Sequence, residues 1–413
     1  MYSFKQYLNE AKNTHLEHLE DEIINNGYQG GVNAVEFLKS IRNMLIGSSR
    51  RKLNVSVKWD GAPAVFCGIY PETNRFFVGS KSIFNKDAKI NFTAADVDSN
   101  HGSSPGLAAK LKDCLKYLPD LGIKGVAQGD LLFTDDKEKK KIDGRDCLIF
   151  QPNTITYCIP SEDELYEKAL KAKLGIVFHT SYHGDSISGL SAKFGYNINE
   201  LTMSKNVLVL SAETEQLGND ILLNAAEKNE LTTIRTKSAN LVAGTFLDTM
   251  AEHNAGKDQL AVGTRLKIFF NQYVRKGQKM GSSGQVIKEF ETYFESECRK
   301  AADKLKTPKG KAGKLAKLYD GQDLIKDHRS DLIKTIDLYK NLQSAKEMFI
   351  RKLEKGERFG TYLRTENGYK VTAPEGYVAI QDGTNAVKLV DRLSFSVANF
   401  NVEKNWVNGD KPQ

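Results

Sequence analysis

Three short segments of this chain carry the residue types needed to move a nucleotidyl group. Lys58-Trp59-Asp60-Gly61 offers an amine nucleophile, followed by a glycine that lets phosphate approach the main chain. Glu375-Gly376-Tyr377-Val378 offers a carboxylate, and Val387-Lys388-Leu389 a cation. Amine, carboxylate and cation together suit transfer through a covalent lysyl-nucleotide intermediate. A lysine attacks phosphorus only when unprotonated, and a nearby cation or partial desolvation lowers its pKa toward that state. Taken by itself, Lys58 is an ordinary surface lysine ahead of an Asp-Gly turn; the combination singles it out.

Further candidates lie between these segments. Glu375 and Lys388 stand 13 residues apart on two strand-like runs joined by Gln381-Asp-Gly-Thr-Asn385, a hairpin spacing that turns both toward one cleft. Glu375 suits Mg²⁺ (or Mn²⁺), a hard cation that takes oxygen ligands, and Lys388 suits neutralising a triphosphate. Asp130, in Gln128-Gly129-Asp130-Leu131, interrupts an apolar strand. A carboxylate there is costly to bury alone, which points to a ribose hydroxyl, a metal or a cation; a strand-edge aspartate facing water is the other reading. Lys81 and Lys86, just past the next hairpin, have the charge to hold nucleotide phosphates or a substrate strand. Phe178 reads either as a platform for a purine base or as plain core, and His179 as a hydrogen-bonded core residue.

The elements that must position these groups follow from periodicity. Residues 1–50 have helical spacing, broken at Gly27 to Gly31. Period-two patterning then predicts strands at 55–57, 64–66, 75–78, 126–133, 147–150, 155–159 and 175–180, with a helix over Glu162 to Ala172. From about 206 to 355 the chain is rich in Leu, Lys, Glu and Ala at helical spacing, with Pro308 its one proline. Strand character returns at 369–372, 376–380 and 386–390. This order predicts an α+β fold: a helical leader (1–50), a mainly antiparallel core (51–205), a helical insertion (206–355) and the final core strands (356–413).

The bulk composition sets outer bounds. With 413 residues, 40% hydrophobic and 9% aromatic, the chain has enough apolar content to fold around a core. A net charge of +7 is compatible with a polyanionic partner. Five cysteines without C-x-x-C spacing predict neither a zinc site nor a disulfide framework, as in a reducing cytoplasm. No segment is apolar enough for a signal peptide or membrane span, so a soluble protein is expected.

Together the motifs resemble the covalent nucleotidyltransferase superfamily of ATP-dependent DNA and RNA ligases and mRNA capping enzymes. Lys58-Trp-Asp60-Gly61 resembles its K-x-D-G motif, whose lysine takes up AMP, and Glu375-Gly-Tyr-Val378 its E-G-x-V motif. Gly129-Asp130 resembles the third motif, with Asp in place of the usual Glu; Leu174 to Thr180 resembles the segment whose aromatic packs on the base; and Val387-Lys388-Leu389 resembles the last core motif. The texture is also similar to that of tailed-bacteriophage members, which implies a host-cytoplasmic setting. The resemblance implies an antiparallel-sheet, ATP-grasp-like ligase adenylation core. Lys58 would be catalytic; Asp60, Gly61, Lys81, Asp130, Phe178, Glu375 and Lys388 would bind nucleotide; Glu375 and Asp130 would hold the metal. The 25 residues after Lys388 leave no room for the OB-fold that DNA ligases and capping enzymes append, which implies an RNA strand rather than DNA. Residues 299–317 hold eight basic residues and one acid, and Lys304, Lys306, Lys309 and Lys311 there, with Lys86, are the expected nucleic-acid contacts. A solvated lysine-rich face is the alternative. Other outcomes consistent with the motifs are transfer to a cap or protein, and a nucleic-acid-binding protein that no longer ligates.

Overall fold

The computed structural model describes residues 17–46, 53–142, 144–212, 222–256, 258–356, 360–365, 368–372, 375–381 and 385–393. The ends of the expected leader and final segment, and the tip of the 381–385 turn, therefore lie outside the described residues. Among the described residues, three sheets and eleven α-helices make an α+β fold.

The first sheet joins residues more than 300 positions apart. β1 (Leu53–Lys58) pairs antiparallel with β13 (Gly376–Gln381), which pairs antiparallel with β14 (Asn385–Leu389). Strand alternation gives it two unlike faces. Val55, Tyr377, Ala379, Val387 and Leu389 face a helical core, whereas Ser56, Lys58, Val378 and Lys388 occupy the opposite face.

The second sheet runs β10-β8-β4-β2-β3, from β2 (Ala64–Ile69), β3 (Phe76–Gly79), β4 (Val126–Phe133), β8 (Leu174–His183) and β10 (Val207–Ser211), with β9 (Ser191–Phe194) added to β8. Helices α3 (Ala94–His101) and α4 (Pro105–Tyr117) lie between β3 and β4. α3 opens with a reciprocal Thr93/Asp96 cap, α4 with proline in its first turn. Leu111 and Cys114 of α4 pack with Val65, Cys67, Leu131, Ile176 and Phe178.

The third sheet, β12-β11-β7-β6-β5, combines β5 (Glu138–Ile142), β6 (Arg145–Phe150) and β7 (Ile155–Pro160) with β11 (Gly360–Thr365) and β12 (Gly368–Val371). Its two edges curl toward each other, because Lys140 Nζ of β5 lies 5.0 Å from the Tyr369 ring of β12. Cys147 and Cys158 on β6 and β7 form a disulfide, with Cα atoms 5.7 Å apart. The expectation of no disulfide is corrected: neighbouring strands bring together two cysteines whose sequence spacing carries no signal.

The helices form one body against the first sheet. α1 (Glu22–Asn25) and α2 (Gly27–Leu45) share a core with α6 (Ala225–Leu241), α7 (Gly244–Ala255), α8 (Val262–Arg275), α9 (Ser283–Asp303), α10 (Pro308–Asp327) and α11 (Arg329–Leu353). Leader and insertion, read apart in the sequence, pack as a unit. Three boundaries also differ. α2 runs straight through Gly30 and Gly31 rather than breaking there, since these glycines admit the main chain of α1 and the side chain of Val242. The 206–355 insertion begins with strand β10, parallel to β8; a strand buried on both faces reads as an unbroken apolar run and hides its period. The helix expected over 162–172 is confined to α5 (Tyr166–Lys171), after a turn in which Asp163 accepts from the Leu165 N–H.

The leader also continues the first sheet. The Lys388 N–H donates to Glu17 O at 2.9 Å, and His18 bridges Lys388. Beyond it, Lys346 Nζ meets Glu20 at 2.5 Å, while Asp21 accepts from Arg392 and from the Tyr339 hydroxyl, both at 3.1 Å. These buried charges pair with one another, although Glu20 Oε2 and Arg392 Nε have no hydrogen-bond partner among the described residues.

Candidate active site

Lys58 ends β1, where the chain leaves the sheet. Gly376 lies opposite it in the ladder, so no side chain covers Lys58 from the partner strand. Gly376 has φ +142°, and a Cβ there would sit 2.5 Å from Leu389 O, so glycine is required for the bend that brings Glu375 back over β1. Glu375 Oε1 is ion-paired with Lys58 Nζ. Lys388, opposite Val378 on β14, occupies the same face two strands from Lys58. The three groups of the E-G-x-V, K-x-D-G and lysine segments thus share one sheet face.

The second sheet supplies the opposing wall. Asp130 lies beside the turn after Lys58: a Cβ on Gly61 would come within 2.5 Å of Asp130 Cβ. Ala62 N donates to Leu131 O at 3.0 Å and Leu131 N to Pro63 O at 3.1 Å, fastening turn to strand. Gly61 therefore admits Asp130 and β4, a packing role that the sequence spacing alone did not show.

Burial and charge perturb this cluster in a consistent way. The Glu375 carboxyl is pushed from 4.5 up to about 7, by burial first and then by Asp60 and Asp130, against the opposing pull of Lys58. Lys388 is brought from 10.5 down to about 8, by burial and then by Lys58, with Glu375, Glu17 and Asp21 opposing. His18 is held well below its ordinary value by burial and by Lys346, Arg392, Lys388 and Lys58, so a neutral imidazole adjoins the lysines.

Several expected contacts take other roles. Asp60 is 3% exposed, and its carboxylate is consumed by the β6–β7 turn. It accepts from Asn153 Nδ2 at 2.7 Å, Thr154 N at 2.6 Å and Ile155 N at 2.7 Å, while its own N–H donates to the Tyr157 hydroxyl at 2.7 Å. These bonds make Asp60 an anchor of the lysine turn; burial raises its carboxyl pKa despite those donors. Phe178 is 1% exposed and packs against Tyr196 at 5.1 Å on the α4 side of the sheet, which corrects its expected role beneath a base. Its face is the one away from Asp130.

The sequence pattern alone gives His179 no site role. Gln128 pairs with Thr180 and Gly129 with Phe178, so His179 is an extra residue in β8, a β-bulge. The bulge brings His179 Nε2 within 3.6 Å of Asp130 Oδ2, and Nδ1 within 2.8 Å of Thr180 Oγ1. A polar residue inside an apolar strand is the one signal that pointed there.

The remaining lysines stand apart from the cluster. Lys81 starts a 3-10 turn (Lys81–Phe84) and Lys86 follows it; both are exposed, and among the described residues no ion pair links either to Glu375. Lys304, Lys306, Lys309 and Lys311 are exposed around the α9–α10 turn and, among the described residues, carry no ion pair. Other basic residues of that run are engaged: Arg299 with Glu295, Lys300 with Glu297 and Lys317 with Asp258.

Among the described residues, no group of three or more His, Cys, Asp or Glu side chains converges as a metal site. Glu375 and Asp130 fit a narrower requirement, since Mg²⁺ on a nucleotide uses one or two carboxylates and fills its shell with phosphate and water.

Residues 13–404, nearly the whole chain, match the model of a family described as a family of unknown function (DUF6267). The chain belongs to that family. No curated protein and no solved structure matches it. No described helix is long and apolar enough to cross a membrane.

Proposed function

We propose that this protein is an ATP-dependent polynucleotide ligase that works through a lysyl-AMP intermediate on Lys58. The observation that carries the reading is the joint position of Lys58, Glu375 and Lys388 on one sheet face, with Asp130 opposite. In the first step Lys58 Nζ, having given up a proton, attacks the α-phosphorus of ATP. An N–P bond forms, the α–β P–O bond breaks and pyrophosphate leaves. Glu375, already at Nζ, is the acceptor nearest that proton, and Lys388 offers positive charge to the leaving pyrophosphate. AMP then passes to a strand 5′-phosphate, freeing Lys58. A 3′-hydroxyl attacks that phosphate, the phosphodiester forms and AMP departs. Mg²⁺ or Mn²⁺ bound with the nucleotide against Glu375 and Asp130 would supply charge neutralisation at the phosphates.

The acceptor is a nucleic acid, RNA being the strand expected from the resemblance. The four exposed lysines around the α9–α10 turn, which carry no ion pair among the described residues, support a polyanionic partner. Incubation with nicked or single-stranded RNA and DNA carrying 5′-phosphate ends tests the reading. Sealed product that requires ATP supports it. Strand binding without ATP-dependent sealing, and unchanged by loss of Lys58, would favour a binding protein instead.

A further inference from the structure

If AMP is attached at Lys58, its ribose and base must lie along a surface leading away from that residue, and Phe178 is not on it. We propose that Gln128 and Phe84 receive the nucleobase, with Gln128 donating a hydrogen bond to it; this rests on the nucleotide-binding reading above.

Along β4, residues 128, 130 and 132 share a face. The direction through Leu132 is closed, because Leu132 is 1% exposed in a core with Trp59 and Phe133. The other direction is open: Ala64 opposite Asp130, and Gln128 itself, are both half-buried. Residues two apart on a strand are separated by roughly 7 Å, about the step from a ribose at Asp130 to its base. Phe66 and Thr180 flank Gln128 in the ladder and are both buried. They leave its amide as the polar group presented there.

That amide is fixed. The Tyr182 hydroxyl donates to Gln128 Oε1 at 2.7 Å, and Tyr182 is itself 4% exposed. With its oxygen taken, Gln128 presents the Nε2 donors, which match an unprotonated ring nitrogen of a purine. Beside it, Phe84 is half-buried, with its ring centroid 5.2 Å from Phe66 and 5.6 Å from Tyr182. An aromatic anchored on two others, with part of its ring open, is a stacking platform with little rotamer freedom to lose.

The test is calorimetric titration of the full chain with α,β-methylene-ATP and Mg²⁺, a probe whose bridging carbon prevents AMP transfer. Gln128→Glu keeps the shape and the Tyr182 hydrogen bond but removes the donor. It should weaken binding by about tenfold, as should Phe84→Leu, which removes the platform. Phe178→Leu should lower the melting temperature and leave the affinity within about twofold. Equal affinity of wild type and Gln128→Glu, or no binding by wild type, overturns the proposal. Formation of the Lys58 adduct from ATP is scored separately. An adduct with unchanged Gln128→Glu affinity therefore removes this inference and leaves the function; weakened affinity without an adduct does the reverse.

Discussion

Replacing Asp60 by alanine tests most sharply whether this residue positions the lysine turn or touches a ligand. Its carboxylate accepts three hydrogen bonds, two of them from the buried main-chain N–H groups of Thr154 and Ile155 at 2.6 and 2.7 Å. Alanine orphans both donors, and each buried unsatisfied donor costs about 1–3 kcal/mol. Removing a charge whose burial is itself unfavourable returns part of this, as the raised Asp60 pKa indicates. The net expectation is a loss of about 3–4 kcal/mol. Asp60→Asn keeps one oxygen for the main-chain donors, and the Asn153 amide can turn to accept from the new one, so about 1–2 kcal/mol is expected. Urea unfolding at neutral pH reads both, with the midpoint moving and the slope unchanged. If Asp60→Ala unfolds within about 0.5 kcal/mol of wild type yet no longer binds ATP, the carboxylate is a ligand contact and the turn-anchoring argument fails.

Other consequences are as direct. Gly61→Ala forces a Cβ into Asp130 Cβ at 2.5 Å and should reduce adduct formation by about a hundredfold, whereas Gly313→Ala, which meets nothing within 4 Å in α10, should be neutral or slightly stabilising. Glu375, with its carboxyl raised from 4.5 to about 7, keeps a proton in the folded state that the unfolded chain has lost between those values. Wild-type stability relative to Glu375→Gln should therefore fall as pH rises from 4.5 to 7 and level off above; a flat difference in melting temperature across that window would contradict the burial argument. Changing Lys304, Lys306, Lys309 and Lys311 to glutamine should flatten the salt dependence of strand binding, by roughly 0.7 in log–log slope for each phosphate no longer neutralised, and leave adduct formation intact. An unchanged slope would assign strand binding to another surface.

What the sequence disclosed divides along physical lines. Strand β1 ending at Lys58, the β13–β14 hairpin and β4 with Asp130 were legible because side-chain period and turn residues are local signals. The convergence of Lys58, Glu375 and Lys388 was legible only through the order of the motifs, since β1 and β13 are paired across more than 300 residues. Facing was harder to read. Phe178 and His179 are adjacent in an apolar run, and only the bulge opposite Gln128 and Gly129 decides which of them approaches Asp130. Asp60 looked like a ligand contact because its three donors come from a turn some 93 residues away. The parallel strand β10 was lost inside a helical stretch, and no local pattern shows that Glu17 and His18 extend the sheet beside Lys388.

The central claim is covalent chemistry at Lys58. Purified protein incubated with Mg²⁺ and ATP labelled at the α-phosphate, then denatured, should carry label that Lys58→Ala abolishes, that pyrophosphate removes, and that peptide mapping places on the Lys58 peptide. Folded protein, first freed of bound AMP with pyrophosphate, that gains no label, or an adduct that survives in Lys58→Ala, would contradict the account.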